Sequence, residues 1–96
     1  MQNCTIGQVV YSKAGRDRGK VFVVVEVEDE YVYVADGKLR KIENPKKKKR
    51  KHIQITHTIL DNLQEKINKG MKVSNSDIRK NLEDLIELVE ECQELN

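Results

Sequence analysis

Val9-Val10-Tyr11-Ser12, then Lys13-Ala14-Gly15-Arg16-Asp17-Arg18-Gly19-Lys20, then Val21-Phe22-Val23-Val24-Val25-Glu26-Val27: a β-prone run enters a basic loop closed by glycine, and a second β-prone run leaves it. Valine, tyrosine and phenylalanine favour extended chain because branched and aromatic side chains pack on a pleated surface. Residues 13–20 break that pattern, and Gly15 and Gly19 permit the positive φ that tight loops between strands commonly require. Lys13, Arg16, Arg18 and Lys20 surround the turn. In the leaving strand Val21, Val23, Val25 and Val27 share one face at period two, and Phe22 and Val24 share the other. That second face becomes charged at Glu26 and Glu28. It should therefore be covered only at its start, as in a small barrel with a helix laid over one side.

Working outward, Glu28-Asp29-Glu30 reads as a turn and Tyr31-Val32-Tyr33-Val34-Ala35 as the returning strand. Asp36-Gly37 is a two-residue hairpin signal. It leads into an expected strand Lys38-Leu39-Arg40-Lys41-Ile42, with Leu39 inward and Lys38 and Arg40 opposite. Glu43-Asn44-Pro45 ends that strand, since proline cannot donate to a central ladder. Lys46, Lys47, Lys48, Lys49, Arg50 and Lys51 follow without interruption. Charges this dense repel one another and resist burial, so the run should be a loop or an exposed edge. Alternation returns in His52-Ile53-Gln54-Ile55-Thr56, with Ile53 and Ile55 inward, as a closing strand. Five short strands joined in this way fit a small SH3-like barrel.

Beyond Thr58 the apolar period lengthens to that of a helix. Thr58 and Asp61 form a capping pattern, Leu60, Leu63 and Ile67 share a face, and Gly70 stops the helix. Lys66 and Lys69 suit its C-terminal dipole. A second helix should start near Ser76, capped by Ser74 or Ser76. On it Ile78, Leu82, Leu85, Ile86, Val89 and Cys92 fall within an arc of about 120°, with Glu83, Glu87, Glu90 and Glu91 facing away. Glu90, Glu91 and Glu94 oppose the helix dipole, so its end should fray. The expected class is α+β: a barrel over residues 1–57 and a helical extension over 58–96, packed on the barrel.

Charge divides along the same line. Residues 1–57 hold 13 Lys and Arg against 7 Asp and Glu, whereas residues 58–96 hold 5 against 9. A basic front on an acidic back suggests a polyanion-facing module on a water-facing support. No apolar run exceeds five residues (Val21–Val25), far below the roughly 20 needed to span a bilayer. The first fifteen residues carry no apolar signal core, so a cytoplasmic protein is expected. Cys4 and Cys92 form no C-x-x-C pair and should be reduced thiols. His52 and His57 would point to opposite faces of a strand and belong to no metal-ligand pattern, so no metal or other cofactor is expected. No nucleophile or phosphate-loop motif is present, and the chain is not expected to be an enzyme.

The span from Val9 resembles the KOW motif, about 27 residues of alternating polar and apolar character with glycine at the eleventh position, which here is Gly19. Val34-Ala35-Asp36-Gly37, Asn44-Pro45-Lys46 and Lys51-His52-Ile53-Gln54-Ile55-Thr56 are similar to the continuation found in KOW-containing large-subunit ribosomal proteins of archaea and eukaryotes and their small bacterial relatives. The resemblance covers residues 5–57. It implies an SH3-like barrel that binds structured RNA, usually ribosomal, through its loops. Lys13, Arg16, Arg18, Gly19 and Lys20 match the binding loop, and Lys51 and His52 match the basic entry to the last strand. The helices match no pattern.

The candidate RNA-binding set is thus Lys13, Arg16, Arg18, Gly19, Lys20, Lys38, Arg40, Lys41, Lys46, Lys47, Lys48, Lys49, Arg50, Lys51 and His52. Phosphate contact and RNA shape should dominate, because Tyr11, Phe22, Tyr31 and Tyr33 offer little for extensive stacking. Composition does not separate RNA from DNA; the resemblance does. A monomer associated with the ribosome or translation is expected. Two alternatives stand beside it: an adaptor or homodimer using residues 76–95, and a nuclear import signal at residues 45–51.

Overall fold

The alternation of residues 8–35 becomes three antiparallel strands, β1 (Gln8–Ser12), β2 (Val21–Val27) and β3 (Tyr31–Ala35). A computed structural model describes the backbone of residues 4–95 and the side chains of residues 4–85. Val10 lies opposite Phe22, and Val24 opposite Val34, so cross-strand partners present like faces. β4 is Lys46–Lys49, a one-turn 3₁₀ helix spans Arg50–His52, and β5 is Ile53–Ile59. The sheet order is β4-β3-β2-β1-β5. Two helices follow, α1 (Asp61–Asn68) and α2 (Asn75–Leu95).

Each face of the sheet contributes to a buried core. Val10, Phe22, Val24, Val32, Val34 and Ile53 form one core with Cys4, and Val27 and Ile55 pack at its margin. Val9, Val23 and Ala35 form the other with Leu63, Val73, Ile78 and Leu82 from the helical part. Each fully buried valine or isoleucine contributes roughly 1.5–3 kcal/mol relative to exposure, so neither half of the chain is complete alone. The sheet curls about the first core, yet among the described residues no ladder joins β4 to β5. The architecture is therefore an α+β fold with an open five-stranded antiparallel sheet and two helices on its outer face.

Four sequence expectations change. First, residues 38–42 are not a strand: Leu39 is 76% exposed, and the fourth strand is the lysine run. Asp36 accounts for the difference, because its Oδ1 accepts from the backbone N–H groups of Lys38 and Arg40 at 2.8 and 2.9 Å and rounds the chain into a loop. Second, a register shift between Val24 and Glu26 turns Val27 away from Val21, Val23 and Val25 and into the opposite core. Third, the same shift moves Glu26 off the face of Phe22 and Val24, so that face continues with half-buried Val27 instead of turning charged there. Fourth, Thr58 lies within β5, so the Thr58–Asp61 cap does not form; Leu60 holds the N-cap position with no side-chain bond. There the N–H of Leu60 donates to the Gly7 carbonyl at 2.8 Å, so the helix start is anchored to β1 instead.

The stop of the first helix and the cap of the second are realised. Gly70 ends α1 with φ 72°, and the N–H of Met71 donates back to the Lys66 carbonyl at 2.8 Å. Ser74 caps α2, its Oγ accepting from the N–H of Asp77 at 3.1 Å. The hydrogen bond to Ser74 and the charge of Lys66 hold Asp77 below its ordinary pKa. The N-terminal turn of α2 is also clipped to the loop over residues 36–45. Asn75 accepts from the N–H of Ile42 at 2.8 Å and donates to the Glu43 carboxylate at 2.9 Å. The expected apolar residues Ile86, Val89 and Cys92, the outward carboxylates Glu87, Glu90 and Glu91, and the frayed end lie outside the described side chains.

Candidate nucleic-acid interface

Period two divides the lysine run. Lys46 and Lys48 pair in register with Val34 and Val32, the strand positions that enter the first core, whereas Lys47 and Lys49 pair with Tyr33 and Tyr31. The first two lysines therefore point toward the curled interior, and they reach the loop of residues 13–20. Lys46 is ion-paired with Asp17, a buried carboxylate, and donates a hydrogen bond to it. Lys48 is 7% exposed, and its Nζ donates to the carbonyl of Ala14 at 3.0 Å. A lysine is tolerated there because its stem lines apolar surface while the ammonium finds an acceptor.

These contacts shift two ionisations. The hydrogen bond from Lys46 holds Asp17 below its ordinary pKa, with burial opposing and the charges of Lys46, Lys48 and Arg40 assisting. Burial, then the charge of Lys46, depresses Lys48, and Asp17 partly offsets this. Asp17 is thus the acceptor around which three cations from two other segments gather.

The loop itself is built by its glycine. Gly19 has φ 86°, and nothing lies within 4 Å of where its Cβ would stand. Its job is conformational. The N–H of Gly19 donates to the Ser12 carbonyl at 2.9 Å, and the N–H of Lys20 to the Asp17 carbonyl at 2.8 Å. Lys13, Arg16, Arg18 and Lys20 are left exposed around the turn. The N–H of Lys13 donates to the His52 carbonyl at 2.8 Å, which fixes the loop to the start of β5 as well.

The candidate set accordingly falls into three groups. Lys13, Arg16, Arg18, Lys20, Lys47, Lys49 and Lys51 are exposed on two segments that the Asp17 and Ala14 contacts bring together. Lys46, Lys48 and Arg50 are engaged within the fold. The Arg50 guanidinium donates to the carbonyl of Glu28 at 3.1 and 2.7 Å, and His52 is half-buried beside it. Lys38, Arg40 and Lys41 belong to the loop against α2. There Lys38 faces Glu83 at 3.3 Å, Lys41 is exposed, and only Arg40 is close enough to act on Asp17.

Sequence reading missed Asp17. One acid within four cations is the signal that could have marked it. The apolar face proposed for self-association is occupied at its described end, where Ile78, Leu82 and Leu85 pack in the second core. Cys4 is a buried free thiol, its pKa pushed up by burial. Among the described residues no group of three or more His, Cys, Asp and Glu is placed to hold a metal ion, and no helix is long and apolar enough to cross a membrane. No protein-family model matches the chain, and no curated protein matches it.

Proposed function

We propose that this protein binds structured RNA, ribosomal RNA foremost, through the rim formed by residues 13–20 and 46–51. The observation that carries the reading is the pair of ties from Lys46 to Asp17 and from Lys48 to Ala14. They hold two basic segments far apart in sequence against each other. They also hold the loop in a fixed shape, so the cations are pre-organised for a phosphate backbone rather than collected at binding. The curled sheet and the 3₁₀ turn between its edge strands support an open SH3-like barrel of the KOW kind, as the sequence resemblance implies. In that arrangement Gly19 shapes the site, and Lys47, Lys49 and Lys51 supply much of its charge. The helices complete the second core.

Phosphate contact of this kind is salt-dependent. Six or seven engaged cations give a log–log slope of about −4 to −6. Affinity for structured ribosomal RNA fragments, measured across a salt series, is expected to fall at least about tenfold in the combined Arg16→Gln, Arg18→Gln, Lys47→Gln and Lys49→Gln variant, with a shallower slope. Lys38→Gln, which alters a cation that faces Glu83 on α2, should leave both nearly unchanged. Equal affinity of the fourfold variant and the parent at physiological salt would sink the proposal.

A further inference from the structure

Two of the four aromatic residues stand side by side on the outer face of β3, where neither the basic loop nor the core uses them. Tyr31 and Tyr33 are two residues apart on one strand face, a rise of about 6.7 Å. Both are half-buried, with ring surface open to solvent. The neighbouring strand places Lys49 opposite Tyr31 and Lys47 opposite Tyr33. The Lys47 ammonium sits 4.3 Å from the centroid of Tyr31 and 6.0 Å from that of Tyr33. On the other flank stand carboxylates: Glu26 lies opposite Tyr33 in register, and Glu28 accepts a hydrogen bond from the Tyr33 hydroxyl at 2.9 Å.

We infer that Tyr31 and Tyr33 form a short stacking platform for two unpaired bases of a single-stranded RNA segment, with its phosphates along Lys47 and Lys49. The charge arrangement selects this occupant. An aromatic face offers every base a stacking surface without reading its identity. Carboxylates on one flank and ammonium groups on the other allow a polyanionic backbone to run along β4 only. The Lys47 ammonium that covers Tyr31 in the free protein is a cation held by a ring face; an arriving base takes that face, and the ammonium turns to the phosphate beside it. The Glu28 bond fixes the Tyr33 ring before any ligand arrives. The inference rests on the RNA-binding reading and adds to it a single-strand element next to the structured RNA.

The test compares an oligouridine of about ten nucleotides with an abasic strand carrying the same number of phosphates. The parent protein is expected to bind the base-bearing strand at least about fivefold more tightly. Tyr31→Leu with Tyr33→Leu should erase that difference while leaving the abasic affinity unchanged. Because the chain has no tryptophan and three tyrosines, a Tyr11→Phe background leaves emission from Tyr31 and Tyr33 alone. The base-bearing strand should quench it, and the abasic strand should not. Equal affinities for the two strands and unquenched emission overturn the platform. The RNA-binding reading survives that result if Arg16→Gln with Arg18→Gln still weakens structured RNA. Failure of every RNA to bind overturns both.

Discussion

Asp17 is the residue on which the shape of the basic edge depends. It lies within a loop of four cations, yet its carboxylate is turned inward to Lys46 rather than shared among its neighbours. Replacing it with asparagine leaves the Lys46 ammonium without a counter-charge beside Lys48, and should cost about 1–3 kcal/mol of stability. The pH dependence follows from the direction of the shift. A carboxylate held below its ordinary value of 3.8 in the fold contributes stability that is fully present above that value, and that is lost as pH falls through the lowered one. Urea unfolding of the parent and Asp17→Asn should therefore differ near neutral pH, and the gap should close as pH falls below 3.8 and through the lowered folded value. An unchanged gap across that range would show that the ion pair is not the source of the difference. Lys48 gives the same sign of pH dependence in the alkaline range. Its depressed pKa means that the unfolded chain holds the proton more readily, so stability gains as pH rises from the folded value toward 10.5.

At the scale of elements, the fold turns on how closely α2 approaches the loop after β3. A Cβ on Gly37 would stand 2.3 Å from the carbonyl oxygen of Asn75, at a backbone φ of 77°. Gly37→Ala therefore meets both strain and a helix that must move, and should destabilise by more than about 2 kcal/mol. Gly19→Ala meets only the left-handed backbone, a cost of roughly 1–2 kcal/mol. Thermal denaturation of the two variants should rank them in that order; the reverse order would mean that Gly19 has a packing role. The same loop shows where local reading of the chain stops. Strands β1, β2, β3 and β5, both helices, the Gly70 stop and the Ser74 cap follow from periodicity and turn chemistry, which are local. Asp36-Gly37 reads as a hairpin because the signal is two residues long, whereas the Asp36 carboxylate rounds the following residues into a loop that Asn75, far along the chain, clips at Ile42. The lysine run likewise reads as a segment that resists burial. It becomes a strand because alternate residues reach different partners, and Asp17 and the Ala14 carbonyl are supplied by another loop. A single sequence shows the charges of the candidate site but not which of them are already occupied.

At the scale of the whole molecule, the boundary near residue 58 separates charge but not structure. The sheet contributes Val9, Val23 and Ala35 to a core whose other half is Leu63, Val73, Ile78 and Leu82. A chain ending at Ile59 would expose that face to water, in a unit already near the lower size limit for independent folding. Such a fragment should show no cooperative unfolding transition by circular dichroism, whereas the full chain should show one. A sharp transition in the fragment would establish the sheet as a self-sufficient domain. The lysine strand has one more consequence at this scale. β4 is the outermost strand of an open sheet, and the unpaired backbone groups of such a strand invite pairing with another chain. Lys47 and Lys49, presented alternately along it, make that approach electrostatically unfavourable between two copies. The charge proposed to attract a polyanion is thus also a barrier to self-aggregation, and every neutralising substitution there trades ligand attraction and colloidal stability together.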